Sequence, residues 1–321
     1  EEFLQAHIPG AVRFDIDDIA HHNNDGLHHM LADAATFSSK VGQLGIKETD
    51  TIVVYDGIGL FSAPRVWFDF RRMGVKDVLI LDGGFRSWIS AGYETEAGEA
   101  NPKAAIFKSE PKDVAVDLAD MHDLVDSPDI TVADARPGPR FTGEDPEPRA
   151  GMRSGHMPGA KSLPLPDLID HGKLKTVEEL ETIVRAEGIF PNDPVVTTCG
   201  SGVTATAIVL ALESIDHKGS IQLYDGSWSE WGARDDTAVA SGPEDHGITV
   251  RVTRLQMYKR PTQLPPRPTG QNLSLISVTK IPLSFYKFLQ REVGDDYHWV
   301  NRRRSYPEEL KGILHAETTE I

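Results

Sequence analysis

One cysteine, placed ahead of a glycine-rich turn, is the feature of this sequence with the clearest capacity for chemistry. The β-branched run 195–198 leads directly into the turn Cys199-Gly200-Ser201-Gly202-Val203-Thr204-Ala205. A helix is predicted from about Gly202 to Ser214, because apolar residues recur there with helical spacing. Unpaired N–H groups at a strand-to-helix junction attract an anion, and two glycines let these groups converge. We therefore predict that the loop stabilises the Cys199 thiolate and a persulfide anion formed on it.

Two other interpretations of this cysteine compete with nucleophilic sulfur chemistry. A lone cysteine is more commonly a buried packing residue, but packing does not call for Gly-Ser-Gly at a strand-to-helix turn. A cysteine phosphatase needs an arginine six residues after its cysteine to clamp phosphate. Ala205 occupies that position, so the phosphatase interpretation is the weaker one.

Three landmarks occur twice in the same order and divide the chain into two similar parts. The motif His-x-Pro-Gly-Ala stands at 7–11 and again at 156–160. A β-branched run ends at Asp56 in the first part and at Cys199 in the second, and each part then has an Asp-Gly turn followed by tryptophan. Strands alternating with helices predict parallel sheets. We therefore expect an α/β fold with two similar domains, at about residues 1–110 and 120–238.

Both ends of the chain depart from this repeat. The second part has a strand-like run at 130–134 whose counterpart would precede Glu1, so we expect the first domain to be N-terminally incomplete. Residues 239–272, proline-rich and polar in their second half, are predicted to be a linker. Residues 273–321 do not continue the repeat and form a C-terminal extension.

Composition excludes several classes of partner and site. The formal net charge of -16 argues against nucleic acid and anionic membranes as partners, and no apolar run is long enough to span a bilayer. A single cysteine excludes internal disulfides and cysteine-based zinc clusters. The histidine pairs at 21–22 and 28–29 flank a predicted turn, where a solvated loop is favoured over a metal site. We predict neither metal nor cofactor, and a reducing cytoplasm suits the free thiol.

Over about residues 1–235 these motifs resemble the tandem-domain rhodanese family. The resemblance implies two rhodanese-like domains, each a parallel sheet with helices on both faces. In that family only the C-terminal domain keeps the cysteine, so Asp56 marks the first domain as catalytically silent. The activity it implies is sulfur transfer through a persulfide on Cys199, passed on to a thiol acceptor such as thioredoxin or to cyanide.

The loop also resembles one branch of that family more than the other. Thiosulfate-using members typically have Cys-Arg-Lys-Gly-Val-Thr, whereas 3-mercaptopyruvate-using members have Cys-Gly-Ser-Gly-Val-Thr, as here. The resemblance implies that Arg140 and Arg149 bind the donor carboxylate, although solvated surface arginines are the alternative. It also implies that the loop residues hold the donor: Gly200, Gly202, Val203 and Thr204. Thiosulfate as donor, and a non-catalytic binding module, remain the competing functions.

The resemblance assigns further roles at the edges of the site. The Ser201 hydroxyl is expected to donate a hydrogen bond to the sulfur or keto oxygen of the substrate, and the alternative is a turn residue that hydrogen-bonds the backbone. His7 is a candidate for a proton relay with this serine and an upstream acid, and a structural role is as well supported. His156, its repeat counterpart, is expected to be structural. Residues 273–321 resemble the opening of a GNAT acetyltransferase domain that stops before its acetyl-CoA loop.

Overall fold

A computed structural model describes residues 2–20, 26–125, 127 and 129–243 of the chain. The predicted linker beyond residue 243 and the segment that resembles a GNAT domain lie outside these residues. Within the described part of the chain, no helix is both long and apolar enough to cross a bilayer.

The first part of the chain builds a small parallel sheet between helices. Its elements are α1 (Glu2–Gln5), α2 (Ile16–Ile19), α3 (Ala34–Gln43), β1 (Ile52–Val54), α4 (Ala63–Arg72), β2 (Val78–Ile80) and α5 (Gly84–Ser90). Strands β1 and β2 pair in parallel, with Ile52 opposite Val78. Proline at the second position of α4 suits the first turn of a helix, where its missing N–H would have no partner.

The second part forms the larger sheet. Its elements are β3 (Ala115–Val116), α6 (Leu118–Leu124), β4 (Thr131–Asp134), α7 (Gly138–Thr142), β5 (Lys161–Ser162), α8 (Leu165–Leu168), β6 (Ile169–Asp170), β7 (Lys173–Leu174), α9 (Val177–Ala186), β8 (Val195–Thr198), α10 (Ala205–Ser214), β9 (Ile221–Tyr224) and α11 (Ser227–Trp231). Five parallel strands lie in the order β3-β9-β8-β4-β5, and β6 and β7 form a short antiparallel hairpin.

Successive residues of the central strand β8 point to opposite faces of the sheet and enter different apolar clusters. Val195 packs in the cluster that contains Leu180 of α9 and Ile208 of α10. Val196 packs in the other cluster, with Met121 of α6 and the tryptophans of α11. Helices therefore cover both faces, and the predicted α/β fold with parallel sheets is confirmed.

The two parts of the chain share one apolar core. The larger cluster joins Phe37 and Phe70 of the first part to Ile208 and Leu212 of the second. Helices α4 and α10 pack against each other across this boundary. Side chains of the first part can therefore reach the loop that follows Cys199 in the second part.

The repeated His-x-Pro-Gly-Ala motif has the same local structure in both parts. The Nδ1 atom of His7 lies 2.8 Å from the carbonyl oxygen of Phe3, and that of His156 lies 2.9 Å from the carbonyl oxygen of Phe141. Each imidazole also stacks on the ring of that phenylalanine. Backbone bridges then tie the motifs to Glu96 and Ala240, respectively. The second part therefore extends as far as residue 240.

Candidate active site

Cys199 stands at the carboxyl end of β8, where ligands of parallel α/β sheets bind. It is only 2% exposed. Its N–H donates to Oγ of Ser227 at 3.2 Å, and its carbonyl oxygen accepts the N–H of Trp228 at 2.9 Å. The start of α11 therefore fixes the backbone on both sides of the nucleophile.

Two glycines shape the loop that follows Cys199. Gly202 has φ of +75°, and a Cβ atom there would lie 2.8 Å from the carbonyl oxygen of Asp225. This left-handed backbone explains why α10 begins at Ala205 instead of near Gly202, as its apolar spacing had predicted. Gly200 is less crowded, since its added Cβ would meet only Nη2 of Arg140, at 3.3 Å.

A chain of three polar side chains leads away from the loop. Oγ of Ser201 lies 2.9 Å from Nδ1 of His29, and Nε2 of that imidazole lies 3.0 Å from Oδ1 of Asp17. An ionised carboxylate only accepts hydrogen bonds, so the neutral imidazole carries its proton on Nε2. Nδ1 then accepts the Ser201 hydroxyl proton.

The electrostatics around His29 favour its neutral form. Partial burial is the largest cause and lowers the pKa of His29, whereas Asp17 raises it. The positive charges of Arg149 and Arg65 lower the pKa further. A neutral imidazole can take up a proton from Ser201, which is the property a proton relay needs.

The histidine that contacts Ser201 is His29, whereas the sequence suggested His7 as a candidate relay residue. His7 contacts Phe3 and Glu96, and its ring serves the same backbone clasp as His156. The sequence favours a solvated loop for His29, and the structure corrects this prediction, because the imidazole contacts Ser201. The sequence signal was weak: two adjacent histidines beside a turn, far from any cysteine.

Both predicted substrate arginines approach the cysteine loop. Nη2 of Arg140 lies against Gly200. Nη1 of Arg149 donates to Oγ of Ser229 at 2.7 Å, and that hydroxyl in turn donates to the carbonyl oxygen of Gly200. The structure thus brings two guanidinium groups to the residue after Cys199. Their binding of a donor carboxylate stays a prediction.

Val203 and Thr204 complete the loop and directly precede α10. The carbonyl oxygen of Val203 accepts the Thr206 hydroxyl at 2.6 Å, and that of Thr204 accepts the N–H of Ala207 at 3.0 Å. These bonds fix the backbone of both residues. Contact of either residue with a donor remains a prediction.

Buried polar residues that the sequence did not reveal support the arginines. Arg136, 1% exposed, pairs with Asp134 at 2.7 Å and with Glu147 at 2.9 Å. Its guanidinium lies 4.2 Å from the centre of the Trp228 ring. Glu147 also binds Arg140 at 2.5 Å. One buried carboxylate therefore orients both Arg136 and Arg140. Among the described residues, no group of His, Cys, Asp or Glu side chains is placed to hold a metal ion.

The equivalent loop of the first part already holds an anion of its own. The carboxylate of Asp56, at the position that matches Cys199, accepts N–H groups of the following loop: Ile58, Gly59, Phe61, Ser62 and Ala63. The converging N–H groups predicted for such a turn therefore exist in this fold. In the first part they are saturated by a carboxylate.

The two parts exchange matching segments across their boundary. The N–H of Leu31 donates to Asp225 of the second part at 2.6 Å, and the N–H of Leu174 donates to Asp82 of the first at 3.3 Å. Two residues before each leucine stand His29 and Gly172, respectively. The framework is thus duplicated, with His29 at this position beside Cys199 and Gly172 at the matching position beside Asp56.

The comparison with known families agrees with this geometry. The family model described as a rhodanese-like domain matches residues 1–91 and 117–234. The chain belongs to the rhodanese family. Within it, the chain is 41% identical over 242 residues to a protein of Escherichia coli named 3-mercaptopyruvate sulfurtransferase, covering 74% of this chain and 85% of the relative. A human protein of the same name is 36% identical over 247 residues, covering 75% and 82%.

A solved structure extends the comparison to three dimensions. The crystal structure of SseA from Escherichia coli, described as a 3-mercaptopyruvate sulfotransferase with the rhodanese fold, superposes with a TM-score of 0.65. The match has 38% sequence identity and covers 71% of this chain and 86% of that one. The rhodanese fold of the described residues thus rests on sequence and structure alike.

Proposed function

We propose that this rhodanese is a 3-mercaptopyruvate sulfurtransferase that carries sulfur as a persulfide on Cys199. The observation that carries the proposal is the convergence of Arg140 and Arg149 on Gly200, next to the nucleophile in a loop without charged side chains. A positive charge beside the loop suits a donor whose carboxylate is separated from its sulfur. The names of the Escherichia coli and human relatives support the same donor.

The first half-reaction is a nucleophilic displacement at sulfur. The Cys199 thiolate attacks the thiol sulfur of 3-mercaptopyruvate, and an S–S bond forms as the C–S bond breaks. The electron pair of the C–S bond passes to the pyruvate enolate. One proton, initially on the donor sulfur, must then reach carbon 3 of the enolate to give pyruvate and the persulfide anion.

The relay from Ser201 through His29 to Asp17 is suited to handle that proton. Because Nδ1 of His29 accepts the serine hydroxyl proton, Ser201 can accept a proton from sulfur while releasing its own to the imidazole. Asp17 stabilises the imidazolium that results. Reversal of these steps delivers the proton to the enolate, so the relay ends in its starting state.

The second half-reaction passes sulfur to a thiol. The acceptor thiolate attacks the outer persulfide sulfur, and Cys199 leaves as the thiolate. We expect thioredoxin or a small thiol as the acceptor, with cyanide as a substitute in assays. A reducing compartment such as the cytoplasm would keep Cys199 competent between cycles.

Mass spectrometry of the intact protein after donor addition tests the enzymatic proposal. We expect an adduct of one sulfur atom after treatment with 3-mercaptopyruvate, release of pyruvate, and loss of the adduct on addition of thiol. Cys199→Ser should show neither adduct nor pyruvate. A wild-type protein that forms no adduct with any donor would instead support a non-catalytic binding module.

Donor choice is tested by the arginines. In Arg140→Ala and in Arg149→Ala, kcat/KM should fall more for 3-mercaptopyruvate than for thiosulfate, by a factor of about 10 to 100 for a lost charge-assisted hydrogen bond. Arg13→Ala is the matched control, because Arg13 pairs with Asp15 and is well exposed. Equal losses for both donors, or a wild-type preference for thiosulfate, would contradict the assignment.

A further inference from the structure

One buried arginine of the catalytically silent part reaches into the active site of the other. Arg65, the third residue of α4, is 1% exposed. Its Nη1 donates to the carbonyl oxygen of Gly202 at 2.9 Å, and its Nη2 donates to the carbonyl oxygen of His29 at 2.7 Å. One guanidinium therefore links the cysteine loop to the backbone of the relay histidine.

The same side chain is itself anchored by two carboxylates. Nε of Arg65 donates to Asp69 at 3.0 Å, one helical turn further along α4. Nη1 also lies 3.2 Å from Oδ1 of Asp225, whose second oxygen accepts the N–H of Leu31. With both flanks fixed, the guanidinium has a defined position between the loop and the relay.

The fit at Gly202 is close enough to shape the loop. A Cβ atom at Gly202 would lie 2.9 Å from Nη1 of Arg65. Gly202 adopts φ of +75°, and His29, which is not glycine, adopts φ of 66°. Arg65 binds the carbonyl oxygens of both these left-handed residues, so it holds backbone conformations that side chains disfavour.

Charge gives Arg65 a second effect on Cys199. Burial opposes the charge of Arg65, but Asp69, Asp225 and the Cys199 thiolate together raise its pKa. Electrostatic interaction is mutual, so the guanidinium charge stabilises the thiolate in return. Arg140, Arg149 and His29 also contact the loop or residues bonded to it.

The repeat shows that this arginine is not part of the common framework. Helices α4 and α10 are equivalent in the two parts and both begin with alanine. The third residue of α10 is Ala207, where α4 has Arg65. Like His29, the arginine is present only on the side that faces the cysteine, as expected of a residue that serves the reaction.

We propose that Arg65 is a positioning residue, which holds the Cys199 loop and the relay histidine in register and stabilises the thiolate from the silent part. This proposal rests on the proposed sulfur transfer. The proposal gives the first part of the chain a role in the reaction, although Asp56 stands there at the position that matches Cys199.

The test combines two substitutions with two readouts. In Arg65→Met, kcat for 3-mercaptopyruvate should fall about a hundredfold through misplacement of the loop, with KM little changed. The pH midpoint for alkylation of Cys199 by iodoacetamide should rise, because a nearby positive charge is lost. In Arg65→Lys the charge remains without the fork, so the midpoint should stay near wild type while kcat still falls.

Arg71→Met is the matched control. Arg71 lies on the same helix and also bridges the two parts, through an exposed ion pair with Glu213. It should leave kcat and the alkylation midpoint at wild-type values. Circular dichroism and thermal unfolding of each variant separate folding defects from the effect sought.

Three outcomes would overturn the proposal. These are a wild-type alkylation midpoint in folded Arg65→Met, a wild-type kcat in Arg65→Lys, and equal losses in the Arg71 control. Should the methionine variant not fold, the lysine variant decides. Absence of pyruvate release by the wild type would refute the proposed function instead, since the alkylation profiles need no donor and judge Arg65 separately.

Discussion

At the scale of single residues, the proposed proton relay requires His29 to be neutral and correctly oriented. Burial lowers the pKa of His29, whereas Asp17 raises it and fixes the proton on Nε2. The two effects of Asp17 oppose each other in rate measurements. Loss of the Asp17 carboxylate weakens the relay. The same loss lowers the pKa of His29, so its imidazole stays neutral to lower pH.

This opposition predicts a distinctive pH profile for Asp17→Asn. We expect kcat for 3-mercaptopyruvate to fall by about 10- to 100-fold, because the proton transfer step loses its orienting acceptor. The acid limb of kcat should move to lower pH, since removal of Asp17 lowers the pKa of His29. Steady-state kinetics between about pH 5 and 8 make the measurement.

Asp18→Asn provides the control for this profile. Asp18 stands on the same short helix but pairs with Lys40 at 2.7 Å. Its substitution should leave both the rate and the acid limb unchanged. An acid limb that stays in place in Asp17→Asn would mean that another group, and not His29, limits the reaction at low pH.

At the scale of elements, the β6–β7 hairpin covers the loop that follows Asp56 in the first part. Its turn residue Gly172 has φ of +79° and packs against the loop after Asp56. A Cβ atom at Gly172 would lie 2.7 Å from the carbonyl oxygen of Ile58. In the first part, the hairpin therefore occupies the place that matches the approach of His29 to Ser201 in the second part.

Gly172→Ala should accordingly be costly. The positive φ disfavours alanine by about 1–2 kcal/mol, and overpacking against the backbone adds about 1–3 kcal/mol. Chemical denaturation gives the unfolding free energy for comparison with Gly188→Ala. Gly188 has φ of +77° and nothing within 4 Å of an added Cβ, so only the conformational cost applies there. Equal losses of unfolding free energy in Gly172→Ala and Gly188→Ala would show that the hairpin shifts to accommodate the added methyl group.

At the scale of the whole molecule, the apolar core that joins the two parts also contains a buried ion cluster. Asp69 is 7% exposed and contacts Arg65. Burial raises the pKa of Asp69 to about 6, although Arg65 opposes the shift. The folded protein thus holds a proton on Asp69 more tightly than the unfolded chain does.

The sign of this shift predicts how stability changes with pH. A raised carboxyl pKa contributes stability that is full below the ordinary value of 3.8 and is lost as the pH rises through about 6. The unfolding free energy of the wild type, minus that of Asp69→Asn, should therefore fall by about 2 kcal/mol between pH 4 and 7. Denaturant titrations across that range test it. A difference that is constant with pH would mean that Asp69 stays ionised in the fold.

The sequence by itself determined the local chemistry and the repeat. Contiguous residues carry the cysteine loop, the run of β8 and the His-x-Pro-Gly-Ala motif, so the α/β class and the nucleophile were predictable. Helix α10 was predicted three residues too early, because apolar spacing does not report the left-handed backbone of Gly202. The domain boundaries at about 110 and 120 stay predictions.

The tertiary structure alone decided which side chains meet that nucleophile. His29 and Ser201 are 172 residues apart, and Arg65 and Gly202 are 137 apart. Both pairs form across the boundary between the two parts, where α4 packs on α10. Spacing along the chain reports neighbours within one element, whereas contacts between parts depend on how their apolar faces dock. For that reason the sequence suggested His7, and the fold brought His29 to Ser201.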